Sequence, residues 1–159
     1  MAGFDTSDIV EVAIRIEENG IRFYRHAAGI AKSPEVKALF SRLSEDEAEH
    51  RRTFAGILAD LDPSIPPEGY DPDYAAYLHS YVDNILVFKT DALAAELAKI
   101  RDEAAALDFA IARELDSVHY YQDILGMLPA SRKGAIEAII TEEKRHFTIL
   151  SAEKQHLVR

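Results

Sequence analysis

Ser33-Pro34-Glu35-Val36-Lys37-Ala38-Leu39-Phe40-Ser41-Arg42-Leu43-Ser44-Glu45-Asp46-Glu47-Ala48-Glu49-His50-Arg51-Arg52-Thr53-Phe54-Ala55-Gly56-Ile57 reads as one amphipathic helix whose apolar face is interrupted. Serine followed by proline supplies an N-cap oxygen and a first helical residue whose φ is already set. Val36, Phe40, Leu43, Phe54 and Ile57 then fall on one helical face, as their three- and four-residue recurrence dictates. Glu47 and His50 sit on that same face, in the middle of the stripe. An isolated carboxylate there costs several kcal/mol of desolvation, so both groups demand partners.

Three other segments carry the same interruption. A first helix should begin at Asp5-Thr6-Ser7-Asp8, which offers cap oxygens and first-turn acids, and run to about Gly29 with the stripe Val10, Ile14, Glu17, Ile21, Tyr24 and Ala28. The second, quoted above, ends at Asp62-Pro63. A third runs from about Asp102 to Leu125, stopped by Gly126, with Leu107, Ile111, Glu114, Val118, Tyr121 and Leu125 inward. A fourth starts near Pro129, continues almost to the end of the sequence, and presents Ile136, Ile139, Glu143, His146 and Leu150. No long stretch alternates with period two, so the fold class is all-α. Short connections make two tight antiparallel hairpins, first helix with second and third with fourth.

Residues 62–101 are too many for a turn. They hold Pro63, Pro66, Pro67 and Pro72, then Tyr70, Tyr74, Tyr77 and Tyr81 at helical spacing, and a second apolar segment from Ile85 to Leu97. A partly helical crossover of this length can return the chain along the bundle. The tyrosine stripe is expected to pack on the bundle or on a partner subunit.

Composition narrows the chemistry. The 159 residues suffice for one core, so a single domain over 1–159 is expected. There is no cysteine, which removes disulfides, thiolate metal sites, iron–sulfur ligation and cysteine nucleophiles; any metal is held by nitrogen and oxygen. A formal charge of −10 opposes a nucleic-acid partner. No run suits a membrane span, and Met1-Ala2-Gly3-Phe4-Asp5 lacks the basic and apolar parts of a signal peptide, so a cytoplasmic location is expected.

Hairpin geometry makes the four interruptions meet. Glu17 and Glu47 are symmetric about residue 32, and Glu114 and Glu143 about the Leu128–Pro129 boundary. Each pair thus sits at one level, roughly 20 Å from its turn at about 1.5 Å per residue. The halves repeat, since Glu17 precedes Tyr24 by the same interval as Glu114 precedes Tyr121. Pairing them brings together one glutamate from each of two helices and Glu-x-x-His from each of the other two. The i, i+3 spacing lets a carboxylate and an imidazole reach one ion between helices. Four carboxylates and two divalent cations would be neutral. Such oxygen-rich ligation suits iron or manganese, with zinc able to occupy the same groups. Glu153-Lys154-Gln155-His156 and Asp116-Ser117-Val118-His119 repeat or nearly repeat the spacing but have no facing interruption, and read as surface groups. The competing reading is a metal-free Glu–His network helped by Arg15, Arg22 or Arg51; against it, no core lysine or arginine is evident to balance four acids.

Glu17-Glu18-Asn19-Gly20-Ile21-Arg22-Phe23-Tyr24, Asp46-Glu47-Ala48-Glu49-His50, Glu114 to Tyr121 and Glu142-Glu143-Lys144-Arg145-His146 together resemble the four helix signatures of rubrerythrin-like di-iron proteins of the ferritin-like superfamily. The resemblance implies a ferritin-like four-helix bundle with two iron ions. It implies Glu47 and Glu143 as bridging carboxylates, Glu17 and Glu114 as terminal ones, and His50 and His146 as nitrogen ligands. Tyr24 and Tyr121 would hydrogen-bond to glutamates of the opposite half. The implied activity is an oxidoreductase reacting with peroxide or dioxygen; an iron-handling ferroxidase, with Fe(II) as substrate, and a bundle with structural metal are the alternatives. A homodimer or higher homo-oligomer is expected. Two departures stand out. The four-cysteine electron-transfer domain of full-length rubrerythrins has no counterpart here, so an external electron donor protein is implied. The further helical glutamate one turn from the first is also missing, because the one-turn neighbours of Glu114 are Ile111 and Ser117.

Overall fold

The structure is a computed structural model that describes residues 5–62, 71–84 and 90–159. Its elements are α1 (Thr6–Ile30), α2 (Pro34–Asp60), α3 (Pro72–Asn84), α4 (Thr90–Lys99), α5 (Glu103–Ile124), a short 3-10 turn (Leu125–Met127) and α6 (Ala130–Leu157). Among the described residues there is no strand.

The helix starts follow from local chemistry. Asp5 and Asp8 form a reciprocal capping box, each carboxylate accepting from the other's backbone N–H at 2.9 Å. Ser33 Oγ accepts from the Val36 N–H at 3.3 Å ahead of Pro34, and Asp102 Oδ1 accepts from the Ala105 N–H at 2.8 Å. The expected stop at Gly126 takes the form of the 3-10 turn, which closes α5 at Ile124. Glu103 accepts hydrogen bonds from the Lys32 and Ser33 backbone N–H groups, tying the α1–α2 turn to the start of α5.

α1 packs along α2 and α5 along α6, giving the two antiparallel hairpins of a ferritin-like bundle. Between the hairpins the core has two apolar parts. One gathers Ile9, Ile16, Phe54, Ile57, Tyr121 and Ile136; the other Phe23, Tyr24, Phe40, Leu43, Leu107 and Leu150. The interrupting glutamates and histidines occupy the level between them.

The face of α1 differs from the expected one. Ile14, Ile21 and Ala28 are only half-buried, while Ile9, Ile16, Asn19, Gly20 and Phe23 are buried. The reason is tertiary: α1 touches α2, α5 and α4, so it buries a wider arc than a single stripe. Ile111 and Leu125 of the third stripe are likewise half-buried.

Of the crossover, α3 and α4 are described, whereas Pro63, Pro66, Pro67, Tyr70 and Ile85–Phe88 lie outside the described residues. Tyr74, Tyr77 and Tyr81 form a ladder with ring centroids 5.9 and 6.1 Å apart. Tyr74 and Tyr81 pack on the first apolar cluster, and the Tyr74 hydroxyl donates to the Asp123 carbonyl at 2.7 Å. In α4, Leu93 is buried and Leu97 packs on the second cluster.

Candidate metal centre

The six candidate side chains arrive from four helices at the level between the two apolar clusters: Glu17 from α1, Glu47 and His50 from α2, Glu114 from α5, Glu143 and His146 from α6. The four glutamates are fully buried, and His50 and His146 are 3% and 4% exposed. Ligand atoms of Glu17, Glu47, His50 and Glu143 lie within 4.8 Å of one another, as do those of Glu47, Glu114, Glu143 and His146. The two sets share Glu47 and Glu143. His119 and His156, whose spacing imitates the motif, are exposed.

Hydrogen bonds set the orientation of every member. The Tyr24 hydroxyl donates to Glu114 Oε1, and the Tyr121 hydroxyl to Glu17 Oε1. Both bonds cross between hairpins. His50 Nε2 lies 2.8 Å from Glu142 Oε2, and His146 Nε2 lies 3.2 Å from Asp46 Oδ2. A carboxylate only accepts, so Nε2 of each ring carries a proton and each Nδ1 faces the cluster, where that of His146 also donates to Glu143 Oε2 while no cation is bound. His50 Nδ1 stands 3.6 Å from Glu17 and 3.5 Å from Glu143; His146 Nδ1 stands 3.0 Å from Glu143 and 3.8 Å from both Glu47 and Glu114. The rings stack with centroids 5.9 Å apart. Asp46 and Glu142 each precede a cluster glutamate by one residue, and those doubled acids were their only trace in the sequence.

The expectation that no basic residue balances the acids is overturned. Arg15 and Arg22 are exposed, and Arg51 pairs with Glu18 at 2.8 Å near the surface. Arg113, however, is 2% exposed; its Nη2 pairs with Glu47 Oε2, and its Nη1 lies 3.5 Å from Glu114 Oε1. Room for it comes from Gly20, where an added Cβ would collide with the guanidinium and with the Glu47 carboxylate. The basic charge changes the sum: four carboxylates, one guanidinium and two divalent cations leave one positive charge, so full neutrality includes one further anion.

Electrostatics follow from crowding. Burial, reinforced by Glu143, Glu17 and Glu114 and only partly opposed by Arg113, raises the Glu47 carboxyl well above its ordinary range. Burial would raise Glu114 too, but His146 and Arg113 hold it down to about 2. Burial works against protonating the histidines, yet Glu143 and Glu17 raise His50, and Glu114 and Glu143 bring His146 up to about 10. Tyr24 and Tyr121 are raised by burial first and by Glu114 and Glu17 next, so both remain neutral donors.

The residues fit a pair of cations on an observation internal to the cluster. Glu17 Oε2, Glu47 Oε1, His50 Nδ1, Glu114 Oε2 and Glu143 Oε1 are buried without a hydrogen-bond partner. One free oxygen from each of four glutamates, together with an imidazole nitrogen, all in the core, is a costly arrangement unless cations satisfy it.

A rubrerythrin family model matches residues 8–154. The chain belongs to the rubrerythrin family. A crystal structure from Thermotoga maritima, assigned to the ferritin-like diiron-carboxylate proteins, is similar at 27% identity with a TM-score of 0.68, over 98% of this chain and 97% of that one. No curated protein matches the chain. Within this rubrerythrin-family bundle, the position one turn before Glu114 is the half-buried Ile111, and that one turn after is the buried Ser117, whose Oγ donates to the Arg113 carbonyl at 3.1 Å. Neither is a carboxylate. Among the described residues no helix is long and apolar enough to cross a membrane.

Proposed function

We propose that the chain is a non-haem di-iron oxidoreductase that reacts with peroxide or dioxygen and takes its electrons from an external donor protein. The observation that carries this reading is the pair of four-ligand sets sharing Glu47 and Glu143, with unpartnered atoms in the common interior. Glu17, Glu47, His50 and Glu143 would hold one ion, and Glu47, Glu114, Glu143 and His146 the other. Two bound iron ions would supply one electron each, cycling between ferrous and ferric. Manganese or zinc fits the same donors.

The protein's own part is positioning. Tyr24 and Tyr121 each occupy one oxygen of a terminal glutamate, which leaves Glu114 and Glu17 a single free oxygen. Glu142 and Asp46 hold the histidine Nε2 protons outward and aim Nδ1 inward. The His50–Glu142 and His146–Asp46 pairs also link the cluster to the surface. In each, the cluster histidine adjoins a carboxylate that reaches solvent, with Glu142 and Asp46 side chains 46% and 37% exposed. The absence of a carboxylate one turn from Glu114 means that no alternative glutamate on α5 can replace Glu114 during turnover.

Stopped-flow mixing of the anaerobically reduced, iron-loaded protein with hydrogen peroxide tests the reading. Many equivalents of peroxide consumed per chain in the presence of an electron donor is the expected result. Stoichiometric Fe(II) oxidation and release would instead identify the ion as substrate of a ferroxidase, and inertness would identify a structural metal.

A further inference from the structure

The two halves of the cluster repeat at their glutamates, histidines and tyrosines, and differ in fixed charge at one place. Superposing Glu17 on Glu114 brings Tyr24 onto Tyr121, and it aligns Ile16 with Arg113 and Gly20 with Ser117. Ile16 is a buried member of the apolar core. Its counterpart is a fixed positive charge, touching Glu47 and Glu114. Glu17 and His50, the residues peculiar to the first ligand set, face Tyr121, Glu143 and Glu142 instead. We infer that Arg113 makes the two cation positions unequal: the position completed by Glu17 and His50 binds a divalent ion tightly, and the position completed by Glu114 and His146 binds the second ion weakly, so that loading is sequential.

This inference rests on the di-metal reading and deepens it. Two effects of Arg113 act in the same direction. Its charge repels a cation, and repulsion falls with distance, so the position sharing Glu114 suffers more. At an effective dielectric of about 20, a unit charge a few ångströms nearer to one divalent ion than to another separates their affinities by roughly tenfold to a hundredfold. It also occupies Glu47 Oε2, leaving Glu47 only Oε1 free of hydrogen bonds. The guanidinium draws electron density from Glu47 Oε2, so an ion that used this oxygen would find a weaker donor there and would compete with Arg113 for it. Arginine cannot shed its proton to ease that competition. The gap over Gly20 shows that the guanidinium's place is built into α1 as well as α5, since any side chain there would overlap it.

Cobalt(II) titration of the chelator-stripped full chain, followed by visible absorption and calorimetry, reads the two steps directly. The wild type should bind two ions per chain with affinities at least tenfold apart. His50→Ala should remove the tight step and His146→Ala the weak one. Arg113→Met should strengthen the weak step at least tenfold and draw the steps together, whereas Arg113→Lys, keeping the charge, should leave them apart. Should stripped Arg113→Met not fold, release from the loaded protein into excess chelator gives the same information: one ion leaves at least tenfold faster in the wild type, and both leave at similar rates in the variant. Equal steps in the wild type, unchanged spacing in Arg113→Met, or loss of the weak step in His50→Ala would overturn the inference while leaving the di-metal site standing. Failure of every form to bind cobalt would overturn both.

Discussion

Replacing Gly20 by alanine sets two physical effects against each other, and the structure says which wins. In the interior of a helix, glycine is worse than alanine by about 0.8–1.0 kcal/mol, so Gly→Ala is ordinarily stabilising. Gly56 in α2 and Gly134 in α6 are such positions, because an added Cβ meets nothing within 4 Å at either. At Gly20 the same Cβ collides with Nη2 and Cζ of Arg113 and with Glu47 Oε2. The guanidinium is the end of a long side chain and could in principle move, but it is 2% exposed and its carboxylate partner is fully buried. Displacing it overpacks a dense site, at about 1–3 kcal/mol, and disrupts a buried ion pair, at about 3–5 kcal/mol if the pair is broken outright. Even the smallest of these costs cancels the propensity gain, and a central value leaves Gly20→Ala about 2 kcal/mol less stable. For a chain of this size that is a fall in Tm of roughly 4–8 °C. Gly56→Ala and Gly134→Ala should each raise Tm by roughly 1–4 °C. Thermal melts followed by circular dichroism at one pH, with metal content fixed by chelation, measure all three. A Gly20→Ala protein as stable as the other two would show that Arg113 does not occupy the space over α1, and the account of the cluster's charge would fail with it.

Three further predictions concern the cluster itself. Without a bound cation, Glu47 is raised above its ordinary value, as are His50 and His146, the last to about 10. Such groups stabilise the fold below their unfolded pKa values and stop doing so as pH climbs through the folded ones, so chelator-treated protein should lose stability from about pH 6.5 to about 10. Glu114, held at about 2, acts the other way, and its contribution disappears only as pH falls from about 4.5 towards 2. Loaded protein should not follow the alkaline loss, and melts of the two forms that run parallel between pH 6 and 9 would contradict the argument. His50→Ala or His146→Ala should each lose about one of two ions in elemental analysis and lower the iron oxidation rate by roughly tenfold or more, with His119→Ala and His156→Ala near wild type in both; equal losses in all four would place metal binding elsewhere. Tyr24→Phe and Tyr121→Phe each delete a buried hydrogen bond to a carboxylate, worth about 1.5–3 kcal/mol, and unchanged urea midpoints would mean that neither bond forms in solution.

Much of this arrangement is visible in the sequence because burial and helical period together make a polar residue on an apolar face conspicuous. Glu47 and His50 are unmistakable between Leu43 and Phe54, and a hairpin has only one register that brings Glu17 level with Glu47. Arg113 escapes the same reading. It lies one residue, about 100°, from the stripe marked by Glu114, on a second buried arc of α5 with Ala110, Ser117 and Tyr120 that a single-stripe reading leaves out. The usable signal was on another helix: Gly20, a glycine deep inside a strongly helical segment with no turn to make, announces a close approach by something large. The identity of that neighbour is a matter of packing between α1 and α5, which no single-helix pattern encodes. Asp46 and Glu142 were hidden for a related reason, since each looks like an ordinary surface acid until the facing histidine of the other hairpin is in place. The wide buried arc of α1, with Ile9, Ile16 and Phe23 inward, likewise reflects how many neighbours that helix acquires.

Nearly every bond that orients the cluster runs from one hairpin to the other: Tyr24 to Glu114, Tyr121 to Glu17, His50 to Glu142, His146 to Asp46 and Arg113 to Glu47. This wiring has a consequence for the order of events on the ribosome. The first hairpin emerges carrying Glu17, Glu47 and His50, three of the six cluster residues, before their partners Tyr121, Arg113 and Glu142 have been made. On the di-metal reading, a nascent half-chain would therefore be a poor chelator. Both cation positions are complete, on the same reading, only once α6, with Glu143 and His146, has been synthesised and docked. On that reading, only a chain completed at least through His146 carries all six residues of the two sets.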